Sequence, residues 1–340
     1  MNKLPLLVSS LLLAGCGLIH AAETTLPGIV LTHGQLRARF TDNSPRLNSA
    51  GDEVLPGYSS VAALIEAGQR RNVFAPAGLN YEMCSTVPRL GKLADKWNAP
   101  RVAPLVMTQV DEHTVRYTQD GAETSGLNVE LIYRLGPDHI DLTFTTWPIA
   151  DIESSHTFWA SYMLFVQNTS LYLRASLQGD PQTRWWELTS AGHNGEGDGT
   201  YFRPVDPAGK RWDEFLVDNP VLRQAVFETP ASRAATLAAG FKAGRLVSFD
   251  NFYFGFVDDH VFLTIFRKPT DGYFAPRLSA SGAQALRRPA WDFAIESGPQ
   301  RAGERRTFEV RFVYKPYAGL DDLLQEVARF QSGAPSSSGR

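Results

Sequence analysis

The sequence predicts a mainly β protein: a large antiparallel β-sandwich with a few short helices and a C-terminal helix. Roughly a dozen segments of strand character follow one another, separated by turn residues. Strands and helices do not alternate as they do in doubly wound or TIM-barrel proteins, and no internal repeat of propeller type is found. These observations favour serial antiparallel pairing in one sandwich.

The strand predictions rest on alternation and on turn signals. Gln35–Phe40 alternates apolar and polar residues, as a half-buried strand does. The spacing predicts a hairpin of Leu127–Leu135 with His139–Thr146, turning at Gly136-Pro137-Asp138. A second hairpin is predicted from Arg245–Phe256 and His260–Arg267, around Asp258-Asp259.

Three further elements complete the prediction. Trp291–Glu296 and Arg306–Tyr314 are expected to form a last antiparallel pair. Tyr58–Gln69 has helical spacing, with Ser59 or Ser60 as N-cap. Gly319–Phe330 places its large apolar residues on one helical face.

The N-terminus predicts export. A single charge at Lys3 precedes the apolar stretch Leu4–Ile19, which is typical of a signal peptide and short for a membrane span. Cleavage after Ala22 and acylation at Cys16, within the lipobox-like Leu13–Cys16, both remain open. The expected location is periplasmic, lipid-anchored in the outer membrane, or extracellular. We expect a signal peptide over 1–22, one β-sandwich domain over 23–331 and a disordered tail over 332–340.

Composition narrows the function. The net charge of −3 provides no basic surface for nucleic acid, and contact with a membrane is expected only through the signal or a lipid on Cys16. Cys84 is the one cysteine outside the predicted leader, so no internal disulfide is expected. The sequence has no G-x-S-x-G elbow, zincin motif, P-loop or dinucleotide fingerprint after a strand, which removes the commonest readings as esterase, metalloprotease, or nucleotide- or NAD-dependent enzyme.

A glycine-rich loop over 192–201 is the first candidate site. His193 could transfer protons near neutral pH, and Trp186 and Tyr201 flank the loop as candidate sugar-stacking rings. Because Trp185 and Trp186 point to opposite faces of a strand, only one of them can line the pocket. An ordinary solvated surface loop is the alternative.

The same loop also suggests calcium. Asn194, Glu196 and Asp198 alternate before a glycine, as in the first half of an EF-hand loop. The twelfth position is Val205, where an EF-hand needs glutamate, so that motif is excluded. A calcium site of another geometry stays open, and no other cofactor is expected.

Two more groups of polar residues could carry chemistry. Glu82, near Asn80, could act as a general base, with Arg101 as partner for a substrate carboxylate; a salt bridge at a strand edge is the alternative. Tyr253 and Arg267 could assist proton abstraction next to a uronate carboxylate if a hairpin brings them together. Asp292, after Trp291, is expected to be structural.

The stretch His156-Thr157-Phe158-Trp159 resembles the His-x-Tyr-Phe stretch of aldose epimerases, in the galactose mutarotase-like (supersandwich) superfamily. Here a phenylalanine stands in place of the tyrosine, and the asparagine that usually follows is absent. The C-terminal half, with Phe252-Tyr253-Phe254-Gly255, also resembles uncharacterised secreted bacterial proteins. The resemblance implies a supersandwich fold and carbohydrate as ligand.

The combined prediction is an exported carbohydrate-active protein. It would perform proton-transfer chemistry on a sugar or a uronic-acid-containing glycan, as a lyase, epimerase or hydrolase in polysaccharide degradation. His193 would be the acid or base, Tyr253, Arg267 and Glu82 would assist, and Trp186, Tyr201, Arg101 and Asn80 would bind substrate. The alternative is a non-catalytic glycan-binding protein of the cell envelope.

Overall fold

A computed structural model describes most of the chain downstream of residue 27. The described residues are 28–44, 46–47, 53–54, 58–67, 72–96, 98–164, 166, 169–190, 200–211, 214, 246–268, 272–280 and 289–333. The predicted signal peptide and most of the predicted tail lie outside these ranges. Among the described residues, no helix has the length and apolar character needed to cross a membrane.

Two large antiparallel sheets form the fold, which confirms the prediction of a mainly β sandwich. The seven-stranded sheet contains, in spatial order, β1 (Ile29–His33), β2 (Leu36–Thr41), β5 (Ser60–Glu66), β6 (Phe74–Val87), β11 (Ser154–Met163), β18 (Pro289–Ser297) and β17 (Tyr273–Ala280). The ten-stranded sheet contains β14 (Thr200–Pro204), β13 (Asp180–Ser190), β12 (Leu171–Leu177), β15 (Leu246–Val257), β16 (His260–Phe266), β19 (Arg306–Pro316), β10 (His139–Pro148), β9 (Leu127–Leu135), β8 (Thr114–Gln119) and β7 (Val106–Asp111). A separate small pair joins β3 (Arg46–Leu47) to β4 (Glu53–Val54).

The main core lies between the inner faces of the two sheets. Alternation along the strands supplies it: in β9 every second residue is buried, and the same holds for the first half of β2. Large aromatic side chains fill the layer, among them Trp159, Phe293 and Phe144, whose rings stack or meet edge to face. A sandwich without disulfides between its described residues depends on this burial for its stability.

A second apolar cluster covers the outer face of the ten-stranded sheet. Helix α2 (Leu320–Gln331) buries Leu323, Val327 and Phe330 against this face. These residues follow the i, i+4, i+7 spacing of one helical face, so the C-terminal helix predicted from that spacing is confirmed. Both predicted hairpins are also confirmed: Leu135 lies opposite Ile140, and Val257 lies opposite His260.

The predicted helix over Tyr58–Gln69 is wrong, because the segment forms β5. Val61 and Leu64 are three residues apart and both reach the core. This is achieved by a bulge: Arg39 of β2 lies opposite Ala63, whereas Phe40 lies opposite Val61, so one residue of β5 is extra. Because of this extra residue, Leu64 points into the core three residues after Val61, which imitates the apolar spacing of a helix.

Two other expectations are corrected. Trp291–Glu296 and Arg306–Tyr314 do not pair: β18 lies between β11 and β17, whereas β19 lies between β10 and β16 in the other sheet. The connection between them crosses the sandwich. A strand is also expected from the sequence over Arg101–Gln109, but it begins only at Val106, because Arg101 belongs to the short helix α1 (Ala99–Val102).

Candidate functional site

Three of the sequence-predicted residues come together on the outer face of the seven-stranded sheet. In β6, Leu79 and Tyr81 point into the core, so Asn80 and Glu82 point to the other face. A bulge occurs at this point: β11 residues Phe158 and Trp159 are opposite Met83 and Tyr81, which leaves Glu82 without a residue opposite it. Bulges re-aim side chains in this way next to functional sites.

The Glu82 carboxylate is held from two sides. Arg101 donates from Nη1 to Oε1 at 2.8 Å. The Tyr162 hydroxyl lies 3.2 Å from Oε1 and 3.0 Å from Oε2. The side chains of Arg101 and Glu82 are 26% and 11% exposed, so this charge-assisted arrangement is screened from water only in part.

Aromatic rings complete this group, which we call the Glu82 cluster (Tyr58, Asn80, Glu82, Arg101 and Tyr162). The Arg101 guanidinium lies 4.5 Å from the centre of the Tyr58 ring, a cation–π distance. The Tyr58 and Tyr162 rings meet edge to face with centroids 5.9 Å apart. Both tyrosines are partly exposed, so the cluster offers ring surface as well as charge.

Helix α1 fixes the position of Arg101. The carbonyl oxygens of its neighbours Pro100 and Ala103 each accept hydrogen bonds from the side-chain amides of Asn43 and Gln119, at distances of 2.6–3.1 Å. Both amides are buried. This pairing satisfies carbonyl groups at the end of a helix too short to be stable alone, and it holds the arginine against Glu82.

Asn80 brings a polar group with no partner among the described residues. Its Oδ1 accepts from the backbone N–H of Ser59 at 2.8 Å. Its Nδ2 is buried and makes no hydrogen bond. A buried donor of this kind is uncommon, since most buried polar groups are paired. Because Asn80 is fully buried, this donor is closed off from the surface, so the structure does not support the predicted substrate-binding role of Asn80.

Tyr162 is a hydrogen-bond donor at neutral pH. Burial raises the pKa of its phenol well above the ordinary value, and the nearby carboxylates of Glu82 and Asp292 raise it further. Asp292 is almost fully buried and accepts from the backbone N–H of Ser161 at 3.0 Å. The hydroxyl thus stays protonated and points to an acceptor.

A histidine–glutamate pair lies on the same face, farther along β11. His156 and Glu296 are directly opposite each other on β11 and β18, and His156 Nδ1 is 2.8 Å from Glu296 Oε1. The two side chains are 33% and 25% exposed. When the carboxylate accepts from Nδ1–H, the imidazole is held in the tautomer whose Nε2 can accept a proton. Phe158 stacks beside the ring.

The structure does not bring Tyr253 and Arg267 together. Tyr253 is fully buried between the sheets, where its hydroxyl donates to the carbonyl oxygen of Trp291 at 3.0 Å and burial raises its pKa well above the ordinary value. Arg267 lies on the opposite side of the ten-stranded sheet. It binds Glu309 at 2.7 Å and covers the ring of Phe330 in α2.

Of the site residues predicted in or beside the glycine-rich loop, the structure describes Trp186 and Tyr201. Trp186 is fully buried and donates from Nε1 to the carbonyl oxygen of Ala175, so its predicted stacking role has no exposed ring to act through. Trp185 occupies the outer face and packs on Phe252 and Phe254. Tyr201 belongs to β14, opposite Thr189. His193 and the calcium candidates Asn194, Glu196 and Asp198 lie outside the described residues.

Sequence reasoning missed Tyr58, Tyr162 and the proximity of Asp292. Tyr58 was expected at the start of a helix, and Tyr162 is 80 residues from Glu82 in the chain. The even-numbered residues of β11 do alternate with core residues such as Trp159, which was the available signal for Tyr162. Within the described ranges, no three metal-ligating side chains gather at one point.

Comparison with known proteins gives structural similarity alone. No family model matches the chain, and no curated protein matches it. Among solved structures, a putative aldose 1-epimerase from Escherichia coli K12 is 9% identical, covering 86% of this chain and 99% of its own, with a TM-score of 0.48. A galactose mutarotase-like protein from Lactobacillus casei is 8% identical over 85% of this chain and 100% of its own, with a TM-score of 0.47.

An alpha-galactosidase from Geobacillus stearothermophilus is 12% identical over 89% of this chain and 43% of its own, with a TM-score of 0.36. Galactose mutarotase-like proteins, the group suggested by the His156 stretch, are thus among the structures to which this chain is similar. The sandwich is defined by the strand pairing of the chain itself.

Proposed function

We propose that this protein binds carbohydrate on the outer face of the seven-stranded sheet and performs proton-transfer chemistry there. The observation that carries the proposal is the Glu82 carboxylate, held by Arg101 and Tyr162 beside the partly exposed ring of Tyr58. Sugar hydroxyls both donate and accept hydrogen bonds, and the C–H faces of sugar rings pack on aromatic rings. The cluster supplies both kinds of contact.

The proton-transfer role falls to the His156–Glu296 pair. Glu296 occupies Nδ1 of the imidazole, so Nε2 is the atom that would take a proton from a sugar hydroxyl and return it to a sugar oxygen. His156 and Tyr162 are six residues apart on one strand, which corresponds to about 20 Å at the usual rise per residue. A ligand touching both would be a short oligosaccharide lying along β11.

Two substitutions test this proposal. Tyr162→Phe removes the hydroxyl that orients the Glu82 carboxylate. It should weaken oligosaccharide binding roughly tenfold, the value of one hydrogen bond between a sugar hydroxyl and a correctly placed carboxylate. His156→Asn keeps a hydrogen-bond donor near Glu296 but removes the proton acceptor, so it should abolish turnover and leave affinity unchanged. Binding is measured by calorimetry against a panel of neutral and acidic oligosaccharides, and turnover by reducing ends, by ultraviolet absorbance of unsaturated uronates and by NMR of the anomeric protons.

Tyr253→Phe is the matched control. It removes the same hydroxyl from a residue in the core, where the acceptor is the carbonyl of Trp291. Leaving that acceptor unpaired should lower the free energy of unfolding by about 1–3 kcal/mol without changing affinity for sugar. If Tyr253→Phe weakened binding as much as Tyr162→Phe, the site would not be at the Glu82 cluster.

A non-catalytic glycan-binding protein is the second candidate. It is favoured by the occupancy of the Glu82 carboxylate, since both oxygens already accept hydrogen bonds from neighbours. In that case neither the wild type nor His156→Asn would form product, and both would bind the oligosaccharide with the same affinity.

The proposal includes export of the chain. Mass spectrometry of the protein recovered from membrane and soluble fractions distinguishes the two processing routes. Cleavage after Ala22 gives an unmodified soluble chain, whereas acylation gives a lipidated Cys16 that Cys16→Ala abolishes. A chain that retains Met1 to Ala22 in the cytoplasm would contradict export.

A further inference from the structure

The Glu82 cluster contains both a positive group, the Arg101 guanidinium, and a negative group, the Glu82 carboxylate. The Arg101 guanidinium donates to Glu82 and lies 4.5 Å from the centre of the Tyr58 ring. The hydrogen bonds to Pro100 and Ala103 on either side of it keep it in this place. A guanidinium held in this way already has a carboxylate partner before any ligand arrives.

We infer that Glu82 sets the charge selectivity of the site, so that it accepts uncharged sugar residues and rejects uronates. The inference rests on the proposed carbohydrate function and specifies its substrate class. It differs from the expectation drawn from sequence, in which Arg101 would bind a substrate carboxylate. That role is filled by Glu82 from within the chain.

The carboxylates around Tyr162 strengthen the selectivity. Glu82 and Asp292 both act on the Tyr162 hydroxyl electrostatically, so two negative groups lie close to this hydroxyl, whereas Arg101 pairs with Glu82. Asp292 is almost fully buried, where its field is little screened by water. An incoming carboxylate would meet like charges at close range, whereas a sugar hydroxyl could donate to Glu82.

Removing the negative charge of Glu82 should reverse the preference for uncharged sugars over uronates. Glu82→Gln keeps the size of the side chain and an oxygen that accepts from Tyr162, but it removes the negative charge next to Arg101. We expect affinity for oligogalacturonate to increase 10-fold to 100-fold, as a carboxylate of the ligand replaces that of Glu82 on the guanidinium. The gain should shrink as salt is added. Glu82→Gln combined with Arg101→Gln should lose the gain.

A matched control is available on the other sheet. Glu309 binds Arg267 at 2.7 Å, and both side chains are about one-third exposed. Glu309→Gln removes the same charge from a similar pair, away from the site. It should leave the affinities for neutral and acidic oligosaccharides unchanged. An equal gain of uronate binding in Glu309→Gln would show that net charge alone is responsible and would overturn the inference.

The wild-type protein gives an independent measurement that does not depend on any variant. Calorimetry should show at least tenfold tighter binding of a neutral oligosaccharide than of oligogalacturonate of the same length. Equal or tighter binding of oligogalacturonate by the wild type overturns the selectivity while leaving the carbohydrate function standing. Failure of the wild type and of folded Glu82→Gln to bind either ligand overturns the proposed function itself.

Discussion

Arg311→Met should destabilise the protein by about 3 kcal/mol, because Arg311 joins helix α2 to the ten-stranded sheet. The side chain is almost fully buried. It binds Asp141 with two parallel hydrogen bonds of 2.7 and 2.8 Å and binds Glu326 of α2 at 3.0 Å. Removing one member of a buried ion pair costs about 3–5 kcal/mol. We expect the lower end, since Arg329 and His139 remain beside the two carboxylates.

Urea unfolding at neutral pH measures this loss, and hydrogen exchange of α2 locates it. Arg305→Met is the control. Arg305 binds the carboxylate of Glu130 and lies over the ring of Trp147, much as Arg311 lies over the ring of Phe330, but the side chain of Arg305 is 54% exposed. An exposed pair contributes about 0–1 kcal/mol. Equal losses in the two variants, or unchanged exchange in α2, would refute the reasoning that the buried pair holds the helix.

Two further predictions concern stability. Burial alone would raise the pKa of Asp141, but the His139 ring 3.6 Å away and the hydrogen bonds from Arg311 lower it to about 2. Because the folded pKa lies below the unfolded value, ionised Asp141 should contribute about 2 kcal/mol to the free energy of unfolding above pH ~4. This contribution is lost as the pH falls towards 2, so the urea midpoint should fall less over this range in Asp141→Asn than in the wild type. Gly78 has φ of +69° and its added Cβ would lie 2.2 Å from the carbonyl oxygen of Val61, so Gly78→Ala should cost at least about 2 kcal/mol. An unchanged urea midpoint in Gly78→Ala would contradict the close approach of β5 and β6.

The strand content could be predicted from the sequence wherever alternation was regular. β9, β10 and β2 follow the two-residue period, and the turn residues around Gly136 and Asp258 marked their hairpins. Which strands pair across longer separations could not be predicted. The connection from β18 to β19 is short, yet it changes sheets, and nothing in its composition distinguishes a hairpin loop from one that crosses the sandwich.

Part of the site prediction could have been refined from the sequence. Once β15 and β16 are paired around Asp258, Tyr253 lies opposite Thr264. Arg267 is three residues farther along, an odd number, so it must point to the other face of the sheet. The parity of the hairpin therefore separates Tyr253 from Arg267 before any coordinates are known. The partnership of Glu82 with Tyr162 has no such signal, because it depends on the pairing of β6 with β11.

The irregular positions that defeated the sequence pattern lie in or beside the proposed site. A bulge in β5 follows Val61 and turns Leu64 inward, and a bulge in β6 leaves Glu82 outside the ladder. A bulge shifts the alternation of inward and outward side chains along a strand. An analysis of apolar spacing therefore assigns the wrong secondary structure at the place where the bulge has redirected a side chain. The false helix over Tyr58–Gln69 and the position of Glu82 outside the ladder thus arise from phase shifts in two adjacent strands. In mainly β chains of this kind, a strand-like segment whose apolar spacing changes from two to three residues is therefore a place to look for a site.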